Sequence, residues 1–339
     1  MDPKVSVIIP CYNEEKTIRL ALESLAGQSY PLEKMEVVVA DGLSEDGTRE
    51  EITAFKEEHP GLLVRVVDNH KRTIPAALNA AITAARGEII VRLDAHSIPQ
   101  ADYVERSVEG LEEGLGQNVG GVWEILPGEE TRMAEAIAAA VAHPLGVGDA
   151  KYRYTDQAAE VDTVPFGAFR KTMMEEVGRF DESLLTNEDY EFNTRIRKGG
   201  GKIWLDPGIR SKYFARPTLG ALAKQYWRYG YWKVRMLKRY PETLRWRQAL
   251  PPLFVAGVLG SALLSIWMPA ARWILGVVVV SYGLALLAVG IQVMVSKKKL
   301  NYLIGVPLAV CMMHFSWGGA FLWSLFGIIL GFKEKPTGL

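Results

Sequence analysis

Polar side chains follow each of four short apolar segments in the first hundred residues. These polar positions are Tyr12-Asn13-Glu14, Asp41, Asp68-Asn69 and Asp94-Ala95-His96. Carboxylate, amide and imidazole groups can hydrogen-bond a polar ligand or bind a cation. If the apolar segments are strands of one sheet, these groups lie where such sheets bind ligands, beyond the carboxyl ends of the strands.

The apolar segments have the length and composition of buried parallel strands. We predict strands at residues 5–9, 35–40, 63–67 and 88–93. Three helices are predicted between these strands. The first covers residues 14–26 with Asn13 as its N-cap, the second begins at a capping box formed by Thr48 and Glu51, and the third covers residues 75–85. This alternation predicts an α/β domain with a mostly parallel sheet and right-handed crossovers.

Several protein classes are disfavoured by the sequence. No G-x-G-x-x-G follows the first strand and no G-x-x-x-x-G-K-[ST] occurs anywhere, which argues against a dinucleotide site and a P-loop. The 339 residues carry no net charge, so nothing indicates nucleic-acid binding. Cys11 and Cys311 have no zinc-ligand spacing and make a poor disulfide framework, which fits a reducing compartment. Residues 1–4 lead directly into a strand, so we expect no signal peptide.

The last third of the chain is strongly hydrophobic. Residues 249–271, 273–296 and 300–332 contain no charge, and each stretch exceeds the ~20 residues that cross a bilayer. We therefore predict three regions: a soluble domain at 1–218, a basic aromatic interfacial helix at 219–248, and about three transmembrane helices at 249–332. Pro307 and His314 in the third stretch are typical of a kinked or partly interfacial segment.

Basic residues indicate the orientation of these spans. They lie before the first stretch and between the second and third, namely at Arg235, Lys238, Arg239, Arg245, Arg247 and Lys297–Lys299. The positive-inside rule then places the soluble domain in the cytoplasm and the protein in the cell membrane as a multi-pass protein. Three spans would put the C-terminus outside, and Lys333 and Lys335 argue against that, so the number of spans stays open.

Three motifs, in this order, resemble those of family 2 glycosyltransferases, which have the GT-A fold. They are Val5-Ser-Val-Ile-Ile-Pro-Cys-Tyr-Asn-Glu14, Asp41-Gly-Leu-Ser-Glu-Asp-Gly-Thr48 and Asn187-Glu-Asp-Tyr-Glu191. A closer resemblance, to succinoglycan-type exopolysaccharide transferases, lies in Val91-Arg-Leu-Asp-Ala-His96, in residues 161–170 and in residues 314–319, and it covers most of the chain. Where many family members have Asp-x-Asp, this sequence has Asp94-x-His96.

The resemblance implies a nucleotide-sugar donor, UDP-linked in our prediction. Tyr12 would stack on the base, and Asp41 would accept a hydrogen bond from the base or ribose. The alternative for Asp41 is that it only begins a turn with Gly42. The other predicted donor-binding residues are Pro10, Asn13, Glu14, Ser44, Lys71, Asn79, Arg92 and Asp94.

Asp94 and His96 would hold a divalent cation on the diphosphate of the donor. Such a cation neutralises the charge that builds on the leaving phosphate. Oxygen ligands suit Mg²⁺, and an added imidazole favours Mn²⁺. The alternative is that His96 is only a loop residue near the site.

Asp189 is the predicted general base, which takes the proton of the attacking acceptor hydroxyl. A position in the first turn of a helix capped by Asn187 would help to keep it ionised. The alternative is a carboxylate that only stabilises the helix start. Glu188 and Gly167 are predicted to contact the acceptor side.

Gln225-Tyr-Trp-Arg-Tyr-Gly230 resembles the Gln-x-x-Arg-Trp element of related synthases. From it we predict that Gln225, Arg228, Tyr229 and the nearby Trp232 contact the acceptor or the diphosphate. The same segment is also typical of a basic aromatic helix at the membrane surface.

The sequence thus predicts an inverting glycosyltransferase that moves a sugar onto a hydroxyl of a lipid-linked or membrane acceptor, with a homo-oligomer left open. Two alternatives within the enzyme class are disfavoured. The acceptor of a polyprenyl-phosphate glycosyltransferase is already ionised and needs no base, and a processive polysaccharide synthase usually has more membrane spans. An inactive nucleotide-sugar-binding membrane scaffold would be expected to lack the acidic residues Asp41, Asp94 and Asp189, which are present.

Overall fold

The computed structural model describes residues 3–331 and divides into two compact units. The first unit comprises Met1–Glu124 and Lys151–Tyr213, and the second comprises Ile125–Ala150 and the chain from Phe214 onward. The second unit therefore includes a segment from the middle of the chain.

The secondary structure of the first unit alternates strands and helices. In chain order the elements are β1 Val5–Cys11, α1 Ile18–Ala26, β2 Met35–Asp41, α2 Thr48–Glu58, β3 Leu63–Asp68, α3 Ile74–Ala84, β4 Ile89–Arg92, β5 Ile98–Pro99, α4 Tyr103–Glu112 and β6 Asn118–Pro127. After β6 come the helices α5 Arg132–Val141 and α6 Pro144–Val147 of the second unit. The first unit then continues with β7 Ala159–Glu160, β8 Ala168–Arg170, α7 Met173–Glu176, α8 Glu188–Lys198 and β9 Ile203–Ala215.

One mixed sheet carries the strands in the order β3-β2-β1-β4-β8-β6-β9-β5, with β7 paired to β9. The four predicted strands are present and parallel, and their register places Cys11 opposite Asp41 and Asp41 opposite Asp68. The polar positions at their carboxyl ends therefore lie side by side, as the sequence predicts. Four further pairings, those of β8 with β4 and β6 and of β9 with β5 and β7, are antiparallel.

The sheet is buried on both faces, which explains why β1 and β2 are almost continuously apolar. Alternate residues of β1 point to opposite sides: Val7 packs with α1, α2 and α4, whereas Ile8 packs with α3 and α8. Every residue of β2 is buried. Two hydrophobic cores thus hold the strand ends in fixed positions.

Two predicted helix starts are wrong. The first helix begins at Ile18 and not at residue 14, because Asn13 has a left-handed backbone (φ 54°) and forms part of a loop. Thr48 is the first residue of α2 and not its N-cap. Its N–H and hydroxyl donate to Asp46 Oδ1 at 3.1 and 2.5 Å, so Asp46 satisfies the helix start and no capping box forms.

The second unit contains α5 and α6, then α9 Leu219–Arg239, α10 Trp246–Leu264, α11 Pro269–Lys297 and α12 Tyr302–Ile329. By length and composition α10, α11 and α12 are the three helices, within residues 3–331, that could cross a membrane. Helix α12 packs against α5, α9, α10 and α11. The predictions that concern Phe332, Lys333 and Lys335 lie outside the described residues.

A chain that ends at Gln248 is expected to aggregate unless detergent is present. Removing α10–α12 uncovers the surfaces of α5 and α9 that pack against α12, and both helices carry fully buried apolar residues such as Ile137 and Met236. Size-exclusion chromatography with and without detergent measures this. A monodisperse truncated protein in plain buffer would show that the second unit holds together without its apolar helices.

Candidate active site

Asp41, at the end of β2, is completely buried and organises the loop that follows it. Its carboxylate accepts from the Ser44 hydroxyl (2.5 Å), the Ser44 N–H (3.1 Å) and Arg49 Nε (2.5 Å). Arg49 also donates to Asp68 at 2.6 Å, so one guanidinium joins the ends of β2 and β3. Asp41 therefore stabilises the turn that follows β2, and a contact with the donor would be a second role.

Asn13 links the loop after β1 to the loop after β2. Its N–H donates to Ser44 Oγ and its side-chain oxygen accepts from the Glu45 N–H, both at 2.9 Å. The preceding residues are Pro10, which is the half-buried penultimate residue of β1, and Tyr12, whose ring is 41% exposed. This exposure leaves the Tyr12 ring accessible to a ligand.

Arg72, in the loop after β3, lies against Tyr12. Its guanidinium carbon is 5.3 Å from the ring centroid and its Nη1 is 3.4 Å from the phenol oxygen. Glu45 pairs with the same guanidinium at 2.9 Å. A Cβ on Gly42 would lie 3.0 Å from the Tyr12 ring, so the second loop packs tightly against this ring. Loops from three strands thus meet around one aromatic ring.

Three of the acidic residues predicted for the site meet at one buried guanidinium, that of Arg92. Arg92, at the end of β4, is 2% exposed. It donates to Glu188 at 3.0 Å, to Asp94 at 3.3 Å, and to Asp189. The start of α8 is therefore tied to the loop after β4, and Asp94 and Asp189 lie on either side of one guanidinium.

Three carboxylates around one guanidinium leave an excess of negative charge. Burial raises the pKa of Asp189 to about 8; Arg92 opposes this rise, and the Glu188 and Asp94 carboxylates add to it. Burial alone would lower the pKa of Arg92, but the same three carboxylates outweigh burial and raise it. The guanidinium is therefore permanently charged, while Asp189 can exchange a proton near neutral pH.

A strained turn presents a backbone donor to Asp189. Phe166 and Gly167 both have left-handed backbones, with φ of 63° and 84°. The Phe166 N–H hydrogen-bonds the Asp189 carboxylate, and the Gly167 carbonyl accepts from the Arg92 N–H at 3.0 Å. A Cβ at Gly167 would lie 2.3 Å from the amide oxygen of Asn118, so glycine is required there.

Asn187 does not cap α8 with its side chain, contrary to the prediction. It has a left-handed backbone (φ 70°) and makes no side-chain hydrogen bond to the helix start. The first turn of α8 still contains Glu188, Asp189 and Glu191. Burial, the Arg92 guanidinium and the neighbouring carboxylates therefore set the pKa of Asp189, and a side-chain cap from Asn187 does not contribute.

His96 Nδ1 lies 3.1 Å from Glu14 Oε1, which joins the loops after β1 and β4. Side-chain exposures of 24% for Asp94 and 41% for His96 leave both accessible. Within residues 3–331 no cluster of three or more His, Cys, Asp or Glu side chains has metal-binding geometry. A cation held on a diphosphate needs only one or two protein carboxylates, since phosphates and water supply the rest.

Lys71 and Asn79 meet each other at Glu182. Lys71 pairs with Glu182 at 2.5 Å and Asn79 donates to it at 2.9 Å. The Asn79 amide also donates to the Phe180 carbonyl and accepts from the Phe180 N–H, both at 3.0 Å. Both ends of this amide hold the protein's own backbone, which favours a structural role for Asn79 over donor binding.

Gln225, Arg228, Tyr229 and Trp232 lie on α9, in the second unit. Gln225 donates to the Tyr229 hydroxyl at 3.0 Å. Trp232 is 9% exposed, and Arg235 lies 5.6 Å from its ring. Trp232 is therefore part of the packing of this unit, while the predicted contacts of all four residues with acceptor or diphosphate remain predictions.

Sequence reasoning missed Arg49, Arg72 and Phe166. Arg49 follows Asp41 by eight residues, and Arg72 follows the polar pair Asp68-Asn69, so a search for basic residues near each polar strand end would have found both. Phe166 acts through its backbone, and no pattern of side chains indicates that.

The order and pairing of the strands, with helices on both faces of the sheet, define the GT-A fold. The same fold occurs in the solved mannosyltransferase PcManGT from Pyrobaculum calidifontis, a structure that contains GDP-mannose and Mn²⁺. That protein is 23% identical and superposes with a TM-score of 0.65 over 95% of this chain and 88% of its own. At this identity the likeness establishes the fold.

The sequence profile described as Glycosyl transferase family 2 matches residues 6–178. The succinoglycan biosynthesis protein ExoA of Rhizobium meliloti is 32% identical over 318 residues, 93% of each chain. A dolichyl N-acetyl-α-D-glucosaminyl phosphate 3-β-D-2,3-diacetamido-2,3-dideoxy-β-D-glucuronosyltransferase of Methanococcus voltae is 29% identical over 91% of this chain and 93% of its own. This chain therefore belongs to glycosyl transferase family 2, and it is a glycosyltransferase.

Proposed function

We propose that the protein transfers a sugar, with inversion, from a UDP-linked donor to a hydroxyl of a lipid-linked acceptor at the membrane. The observation that carries the proposal is the Arg92 cluster. It brings Asp94, the candidate cation ligand, and Asp189, the candidate base, to one buried guanidinium. The exposed Tyr12 ring beside Asp41 supplies a surface for the nucleotide base.

In this mechanism Asp189 accepts the proton of the acceptor hydroxyl as its oxygen attacks the anomeric carbon. Arg92 and the Phe166 N–H hold the carboxylate in place. Burial raises the pKa of Asp189 to about 8, so the ionised carboxylate that accepts the proton increases as the pH rises through the neutral range. A single displacement of this kind inverts the anomeric centre.

A divalent cation, Mn²⁺ or Mg²⁺, fits Asp94 and His96, whose partly exposed carboxylate and imidazole groups lie two residues apart on one loop. The ion would neutralise the charge on the leaving diphosphate, and its positive charge would favour the ionised form of Asp189. Glu14 contacts the His96 ring and would orient it.

A membrane acceptor is supported by the apolar helices of the second unit and by the name of the M. voltae relative, which describes a dolichyl-linked sugar phosphate. A polyprenyl-phosphate acceptor is already ionised and would need no base, so the Asp189 arrangement favours a hydroxyl. We place the first unit in the cytoplasm from the positive-inside rule, and self-association stays a prediction.

Nucleotide binding is expected to depend on a divalent cation through Asp94. Calorimetry with UDP should show tighter binding with Mn²⁺ than with EDTA for the wild type, and no such difference for Asp94→Ala. Asp102→Ala, which breaks a surface ion pair with Arg106, is the matched control and should resemble the wild type. Equal affinities for wild type and Asp94→Ala under both conditions would contradict the cation site.

The proposed function is tested by offering the full-length protein in detergent a panel of UDP- and GDP-sugars with a lipid extract. Mass spectrometry should find a glycolipid one sugar heavier with a UDP-sugar, and far less of it with Asp189→Asn in the same time. Proton NMR of the product should show the anomeric configuration opposite to that of the donor. Retained configuration, or transfer only to free phosphate lipids, would contradict the proposal.

A further inference from the structure

Residues 136–148, in the second unit, contain no Asp, Glu, Lys or Arg. This stretch of 13 residues comprises the last six residues of α5, the turn that follows and all of α6, and it ends at Gly148. Its length is too short to cross a bilayer. Such a length is typical either of a buried core helix or of a segment that enters the membrane and returns. The contacts of its two ends and of its tip distinguish these possibilities.

Helix α10 indicates where the membrane surface lies. It has 19 residues and is therefore about 28 Å long, so it needs its whole length to cross the ~30 Å hydrocarbon core. Its first turn, which carries Arg247, then lies at the membrane surface. The end of α11, at Lys297, lies on the same side, because residues 265–268 join the two helices in a short turn.

Both ends of the uncharged stretch are held at this surface. Glu135, just before the stretch, accepts from Lys299 at 2.7 Å and from Asn301 at 3.2 Å, and these two residues follow the end of α11. Asp149, just after the stretch, pairs with Arg247 in the first turn of α10. The stretch therefore begins and ends on one side of the membrane.

The tip of the stretch lies deeper, against the apolar parts of α10, α11 and α12. The Leu145 carbonyl accepts from His314 Nε2 of α12 at 2.9 Å, and the Tyr282 hydroxyl of α11 lies 3.0 Å from His314 Nδ1. The Tyr282 ring packs on Phe254 of α10, with ring centroids 4.4 Å apart. Phe254 follows Arg247 by seven residues, about 10 Å along the helix. The tip therefore lies below the membrane surface, in the hydrocarbon layer.

The packing of the stretch along α12 gives the same depth. A Cβ at Gly305 would lie 2.5 Å from Ala136 Cβ, and one at Gly146 would lie 2.9 Å from Met313 Cε. Gly305 and Met313 are eight residues apart, about 12 Å along α12. Small residues that allow such a close approach are typical of helix packing in membranes. The stretch therefore descends along α12 from the first turn of that helix toward its middle.

The backbone of the tip is satisfied by the protein itself. The five N–H groups between residues 143 and 148 donate, at 2.6–3.2 Å, to the carbonyls of Ala140, His143 and Pro144 and to His143 Nδ1. Pro144 has no N–H, and His314 supplies the donor for the Leu145 carbonyl. Within hydrocarbon, backbone can leave the regular helix only where its polar groups are bonded in this way.

We propose that residues 136–148 form a re-entrant membrane segment, which enters the hydrocarbon layer on the side where α10 begins and returns to that side. Its partner is the acyl chains of the bilayer, which contact the exposed side chains of Pro144 and Leu145 at the tip. This placement rests on the proposed membrane location of α10 and α11. The membrane part of the chain then includes a segment within residues 1–218, the range that the sequence predicts as soluble.

The first test measures the depth of the tip in the full-length protein in phospholipid vesicles. Leu145→Cys is compared with Val280→Cys in α11 and Glu130→Cys before α5, each in a Cys311→Ala background and labelled with a fluorophore. Positions 145 and 280 are expected to be quenched by lipids that carry a spin label on the acyl chain and protected from iodide in water. Position 130, which is exposed before the segment begins, is expected to show the reverse.

The control positions separate two kinds of failure. Iodide quenching at 145 as strong as at 130, with 280 protected, would overturn the re-entrant segment and leave the membrane helices in place. Iodide quenching at 280 would overturn the membrane location of α11, and with it the re-entrant segment.

The second test uses the unsubstituted protein, so it does not depend on the folding of a variant. The vesicles contain a lipid with a photoreactive diazirine in the middle of its acyl chain, and the adducts are located by peptide mass spectrometry. Adducts are expected in residues 143–148 and in α11, whereas a matched lipid with the diazirine in its headgroup should label residues 128–132 instead. Acyl-chain adducts in α11 without any in residues 143–148 would overturn the proposal.

Discussion

Replacing Asp189 by Asn should lower the turnover of sugar transfer by roughly 10²–10⁴-fold and leave donor affinity little changed. Asparagine keeps the size of the side chain and can still accept from Arg92 and the Phe166 N–H. It cannot take the proton of the acceptor hydroxyl. Transfer rates at saturating donor, beside UDP affinity from calorimetry, measure the two quantities separately.

Two further variants separate proton transfer from a structural role. Asp189→Ala should lose as much turnover as Asp189→Asn, and it should also lose some thermal stability, because Arg92 then loses one of its three carboxylate partners. Glu188→Gln removes a neighbouring carboxylate that is equally bound to Arg92 and should keep most turnover. A fully active Asp189→Asn enzyme would exclude Asp189 as the base, and Glu188 would be the next candidate.

The pH profile gives an independent check of the same role. The base must be ionised to act, so kcat/KM falls as the pH drops below its pKa in the free enzyme. Because burial raises the pKa of Asp189 to about 8, this fall should begin near neutral pH and not near 4. The residual activity of Asp189→Asn should lack this acidic limb.

Most of the parallel half of the sheet could be predicted from the sequence, because β1, β2 and β4 are buried on both faces and read as continuous apolar runs. The antiparallel half could not. Strands β5, β7 and β8 have only two or three residues each, which is too short for a periodic pattern. Their pairing follows from contacts with β4 and β9 that are distant in sequence.

The acidic residues of the site could be found from the sequence, but their common partner could not. The sequence predicts that Arg92 binds the donor because it lies near a strand end. Its ion pairs with Glu188 and Asp189 join positions 96 and 97 residues apart, and local spacing carries no information on such pairs. The surroundings of the third apolar stretch, which forms α12, could not be predicted either. Hydropathy shows that a helix face is apolar, but not whether lipid or other helices, here α5 and α9, cover it.

Replacing Arg92 by Met should destabilise the protein more than any other single change at the site. Arg92 is buried, and its removal leaves three carboxylates without their shared cation, which costs on the order of 3–5 kcal/mol. Arg106→Met breaks a surface ion pair with Asp102 (2.5 Å) and should cost no more than about 0.5 kcal/mol. Thermal unfolding of the full-length protein in detergent at pH 8 measures both.

The pH dependence of this loss identifies its cause. The pKa of Asp189 is already raised in the folded state, and without the opposing guanidinium it rises further above the unfolded value of about 3.9. Between those values the folded protein binds more protons than the unfolded chain, so stability falls as pH rises through that window. Arg92→Met should therefore recover part of its melting temperature when the pH is lowered from 8 to 5.5, and Arg106→Met should not. If Arg92→Met is equally unstable at both values, lost packing and not unpaired charge accounts for the effect.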